Sequence, residues 1–245
     1  MKKVSKKGFT LVELLVVIGI LGILMGALFP VISSAMLSAN LNSMSIQGRK
    51  LIMGIVQANI DRQGKADPLW PKEKDSETSS DEGDLDVASK CGSGLEYFKA
   101  LFDMEGGKYG TSEWNPSVDG ELLSCLWGFG VPGMNGTTLE QRNIGWCMVK
   151  NIQDETPDFM PVLVTRNVSV SEIDPKLQQF SGKDETKVTM GKVNDTPFSN
   201  KGFVLVRKSG AAESIKQGLA TFTVIFNKQS FDNSSREKQL KFMEP

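Results

Sequence analysis

Lys2–Ile32 reads KKVSKKGFTLVELLVVIGILGILMGALFPVI. Four lysines, Lys2, Lys3, Lys6 and Lys7, precede Gly8, and an apolar run from Phe9 to Ile32 follows with a single charge, Glu13. At ~1.5 Å per helical residue such a run crosses a hydrocarbon core of about 30 Å. The lysines leave the N-terminus on the cytoplasmic side and send the remainder outward. Glu13 is the anomaly, because a carboxylate inside a bilayer costs about 2.5–3.5 kcal/mol and so requires a partner and a purpose. An ordinary secretory signal, cut near Ser33-Ser34-Ala35, has an apolar core of only about 7–15 residues, far shorter than this run.

Within the run, Gly19, Gly22 and Gly26 fall three and four residues apart, and Gly22–Gly26 is a GxxxG spacing that admits another helix closely. Pro30 removes a backbone donor and clashes with the carbonyl of Gly26, so a kink or melted turn is expected from Gly26 to Pro30. Beyond it the pattern turns amphipathic. Leu37, Leu41, Met44, Leu51, Ile52, Ile55, Val56 and Ile60 recur at threes and fours, with polar residues between them. The helix then extends from Phe9 to about Arg62, roughly 80 Å, with Gly64 as its stop.

Gly8-Phe9-Thr10-Leu11-Val12-Glu13 resembles the processing site of type IV pilins and type II secretion pseudopilins. The resemblance implies that a prepilin peptidase cuts between Gly8 and Phe9 and methylates the new Phe9 amine. It puts the family's glutamate on Glu13, where a neighbouring subunit's terminal amine would neutralise it and set register in a filament. It implies other pilin or pseudopilin subunits, an inner-membrane platform and an assembly ATPase as partners. It also implies a single-pass inner-membrane protein with a periplasmic head, later a periplasmic or surface filament. The division that follows is a leader at 1–8, a membrane and assembly helix at 9–32, its amphipathic continuation at 33–64, an acidic loop at 65–90 and a pilin-like head at 91–245.

The rest of the chain narrows the chemistry. A net charge of −1 gives no basic face for nucleic acid. There is no histidine, which removes the usual general base and the Ser-His-Asp and Cys-His arrangements. Three cysteines, Cys91, Cys125 and Cys147, allow one intramolecular disulfide. Cys125 with Cys147 is the expected pair from their apolar contexts, against three reduced buried thiols. Residues 72–86 carry seven acids and two lysines and read as a solvated loop. No cofactor is implied. Calcium is the one candidate ion, although Asp81–Asp86 lacks the spacing of an EF-hand loop.

In the head, Leu95–Met104 has helical periodicity, Glu121–Trp127 suggests a short helix, and Trp114, Trp127, Phe129 and Trp146 read as core. Gly145–Lys150, Pro161–Arg166, Gly202–Lys208 and Leu219–Asn227 read as strands. Residues 167–201 read as polar loop, with a short hairpin as the alternative, and Asp232–Pro245 as a charged, frayed tail. The expected fold class is α+β, a long N-terminal helix on an antiparallel sheet of three or four strands. The expected function is a structural filament subunit, not an enzyme. The alternatives are a membrane-tethered enzyme, which needs paired carboxylates not recognisable here, and an anchored binding module that never polymerises.

Overall fold

The computed structural model describes residues 9–62, 68–72, 92–102, 120–135, 138–153, 155–191, 197–235 and 238–245. The chain divides into two compact units, Met1–Asn40 and Leu41–Pro245. Helix α1, Leu11–Arg62, contributes to both.

In the first unit, residues 9–36, which include the start of α1, are exposed. The turn from Gly26 to Pro30 remains helical, so the melted turn expected from Pro30 is not present. Hydroxyls back-bond to the helix just beyond it: Ser33 Oγ donates to the Phe29 carbonyl (3.1 Å) and Ser34 Oγ to that of Val31 (2.9 Å). These are ordinary back-bonds of helical serines and do not involve the Gly26 carbonyl, the one whose helical donor Pro30 removes.

In the second unit α1 buries one stripe, Leu41, Met44, Ser45, Gly48, Leu51, Ile52, Ile55 and Ala58, at the three–four spacing expected of a helix on a core. It packs on a five-stranded antiparallel sheet, whose strands are β1 (Trp146–Lys150), β2 (Pro161–Thr165), β4 (Gly202–Arg207), β5 (Ala212–Lys216) and β7 (Lys241–Met243). Their order across the sheet is β5-β4-β2-β1-β7. A second, two-stranded sheet pairs β3 (Gln179–Ser181) with β6 (Ser230–Asp232). The fold is α+β, with more strands than the three or four expected.

Strands β2 and β4 are buried along their whole length, so both faces of the sheet are covered. One face meets α1. A Cβ built on Gly48 would stand 2.6 Å from the Trp146 ring and 2.8 Å from Val206, so only glycine permits this approach. The other face lies under the turns and short helices of residues 159–232, among them α4 (Val170–Gln178) and α5 (Phe222–Ile225). There Arg207, almost fully buried, donates to the carbonyls of Phe159 (2.6 Å) and Ile225 (2.8 Å) and pairs with Glu213 (2.9 Å).

Several expectations need correction. Leu219–Asn227 is not a strand. Its apolar run forms a 3-10 turn at Gln217–Leu219 and then α5, which ends where Asn227 and Lys228 take positive φ. Residues 167–201 include α4, whose Val170, Ile173 and Leu177 are buried at helical spacing. The tail is not frayed: Phe242 and Met243 are buried in β7, the Gly94 amide bonds the Glu244 carbonyl (2.8 Å), and Gln141 Nε2 donates to the Pro245 oxygen (2.6 Å). The Leu95–Met104 helix is α2 (Gly94–Leu101), capped by Ser93. The short helix near Glu121 is α3 (Gly120–Leu123), continued as a 3-10 turn over Ser124–Leu126. Most of the acidic loop, the calcium candidates of residues 81–86, Gly64, Trp114 and Cys91 lie outside the described residues.

Candidate processing and assembly site

Thr10 and Glu13 build the start of α1. Thr10 directly precedes the first helical residue, and its carbonyl takes the first helical bond, from the Leu14 amide (3.3 Å). Its Oγ1 accepts the Glu13 amide (3.2 Å), while Glu13 Oε2 accepts both the Thr10 amide (2.8 Å) and the Thr10 hydroxyl (2.9 Å). This reciprocal pair is a capping box, which satisfies amides that an α-helix otherwise leaves orphaned at its N-terminus. The charge also sits at the positive end of the helix dipole. Glu13 is therefore not a bare carboxylate awaiting a distant cation. Two local donors, both from Thr10, and a dipole already hold it, which reduces the cost of carrying it in an apolar segment.

The signal for this arrangement was present in the sequence as Thr-x-x-Glu before an apolar run. Phe9, one residue before Thr10, is 75% exposed, while Gly8 and the four lysines lie outside the described residues. Gly26 and Pro30 lie on the same exposed helix, and a Cβ on Gly19, Gly22 or Gly26 would meet no atom within 4 Å. Among the described helices, α1 is the one long and apolar enough to cross a membrane.

The cysteine expectation is overturned. Cys125 and Cys147 are both buried, and no disulfide joins them. The reason is strand alternation, which sends successive side chains to opposite faces of a sheet. Trp146 faces α1, and its indole N–H donates to the Cys125 carbonyl (2.8 Å), so Cys125 lies on the α1 side. Cys147, the next residue, points to the other side. Burial pushes its thiol well above the ordinary cysteine range, with Glu244 adding to the rise. Of the aromatic residues read as core, Trp146 is fully buried but Phe129 is 51% exposed. No cluster of three or more metal-ligating acids or cysteines occurs among the described residues.

Residues 3–29 match the family model described as the prokaryotic N-terminal methylation motif. This is the prepilin-type cleavage and methylation segment of type IV pilins and pseudopilins, which are structural subunits. No curated protein and no solved structure matches the chain.

Proposed function

We propose that this chain is a pilin-like or pseudopilin subunit, cut between Gly8 and Phe9, methylated on the Phe9 amine and assembled through α1 into a filament. The observation that carries this reading is the match of residues 3–29 to the methylation motif, which runs into the start of α1, where the apolar side chains are exposed in the single chain. In the head half of α1, apolar residues also face outward. Ile46, Met53 and Ile60 are exposed and stand seven residues apart. Counting back by sevens reaches Ala39, Ile32, Met25, Ile18 and Leu11, all exposed too. A strict seven-residue apolar repeat suits a seam that winds around neighbouring helices.

In this reading the lysines keep the leader cytoplasmic and the head is exported. Cleavage frees a cationic amine on Phe9, and Glu13 exchanges part of its capping box for the amine of a neighbouring subunit, which sets the register. Growth then uses an ATPase and a membrane platform contributed by other chains. The long head tilts the assignment within the family toward a minor or lineage-specific pseudopilin.

The test is coexpression with a prepilin peptidase followed by intact-mass analysis. The expected product has lost Met1–Gly8 and gained one methyl group on Phe9. An uncut chain, or a cut near Ala35, overturns the proposal.

A further inference from the structure

Leu41 is the first residue of α1 inside the head, and it marks one end of the five-stranded sheet. A Cβ on Gly202, the first residue of β4, would lie 3.4 Å from Leu41 Cδ1 and 3.4 Å from the Cα of Lys216, the last residue of β5. Further along α1, Ser45 Oγ bonds Ser214 Oγ (2.8 Å) and Gly210 approaches Met53. Helix and β5 therefore run antiparallel, and the turn beyond Lys216 projects from the end at which α1 enters.

That end carries exposed apolar groups ringed by lysines. Phe129 is 51% exposed and stacks on Phe198, with ring centroids 5.6 Å apart. The Phe198 carbonyl accepts the Lys201 amide (3.0 Å), and the Lys201 carbonyl accepts the Gln217 amide (3.1 Å), which places the two turns side by side. At the tip of the second, Leu219 is 65% exposed. Lys201 and Lys216 flank it and are exposed, and exposed Lys187 pairs its backbone with Thr221 immediately beyond. Glu140, before β1, is taken up by Arg142 (2.6 Å).

The apolar run of α1 ends at Ile32, about nine residues before Leu41, a span of at most about 30 Å even fully extended. The end of the head bearing Phe129 and Leu219 is thus tethered close to the membrane surface. Single exposed apolar residues are ordinary. A stacked aromatic pair and a leucine at a turn tip, bordered by lysines and tethered beside a bilayer, have the chemistry of an interfacial contact. Apolar side chains enter the headgroup boundary while ammonium groups meet lipid phosphates.

We propose that, before assembly, the head rests on anionic phospholipid through Phe129, Leu219, Lys201 and Lys216. The proposal uses the membrane-anchored part of the reading above and is independent of filament growth.

The test is hydrogen exchange of the uncut full chain, one copy per nanodisc, in discs of phosphatidylcholine alone or with phosphatidylglycerol. Co-elution with the disc reports the anchor separately, so failure of anchoring is told apart from failure of docking. Exchange at residues 198–202 and 217–219 is expected to be slower in the anionic discs, and the difference should shrink at high salt. K201Q and K216Q should each reduce the protection about fivefold, and Leu219→Ser should reduce it in both lipids. Equal exchange in both discs and in all variants overturns the proposal. Protection that arises only with two copies per disc also overturns it, and assigns the patch to a second chain.

Discussion

Single side chains separate the roles of α1. Glu13 is bound to Thr10 in the lone subunit, so its removal costs a helix cap of about 1 kcal/mol and leaves the apolar segment intact. Glu13→Val is accordingly expected to insert in the membrane and to be cut at Gly8–Phe9 as wild type, yet to be absent from sheared filaments. Immunoblots of membrane and filament fractions check this, and wild-type incorporation would remove the register role. Gly48 tests the other half of the helix. Alanine there gains about 1 kcal/mol of helix propensity but drives a methyl into the Trp146 ring and Val206. Overpacking costs about 1–3 kcal/mol, so Gly48→Ala should lower the stability of the head by up to about 2 kcal/mol net in urea titrations of the detergent-solubilised chain.

At the scale of elements, what could be read from the sequence depended on length and periodicity. The apolar run and the buried stripe of α1 extend over many turns, and PVLVT and GFVLVR are apolar runs buried on both faces, as central strands are. The misreading of Leu219–Asn227 has a physical origin. A short apolar run carries no period that tells a strand from a buried helical turn. Its fate was set by the Thr221 start and by the left-handed residues Asn227 and Lys228. Helix α4 was hidden by its polar faces and by Pro175. It is anchored by Lys176, which pairs with Asp184 (2.7 Å). That pairing, with hydrogen bonds from Thr186, lowers the Asp184 carboxyl from the ordinary 3.8 to about 2. Because the folded-state value is depressed, the stabilisation is present above about pH 4 and is lost as pH falls toward 2. Wild type and Asp184→Asn should therefore differ in thermal midpoint at pH 6 and converge by pH 2.

For the whole molecule, the methylation motif was legible because it is local, contained within residues 3–29. The sheet was not, because its order depends on pairings distant in sequence. Strand β1 is flanked on one side by β2, close in the chain, and on the other by β7, made of nearly the last residues. Nothing in KFM announces a strand. It is ordered by pairing with β1, by the Phe242 amide on Asp174 Oδ1 (2.8 Å) and by Gln178 Nε2 on the Leu240 carbonyl. Burial of Phe242 and Met243 contributes about 3–6 kcal/mol. Deleting residues 240–245 should leave membrane insertion and cleavage unchanged while making the head sensitive to protease, as limited proteolysis of membrane fractions would show.

The position of β7 also sets a clock. The five-stranded sheet is incomplete until residues 241–243 have left the ribosome, later than α1 and its other four strands. The N-terminal segment emerges first and can engage the membrane while the rest is still unstructured. A channel that admits only unfolded chain would therefore meet no closed sheet before residues 241–243 had been made.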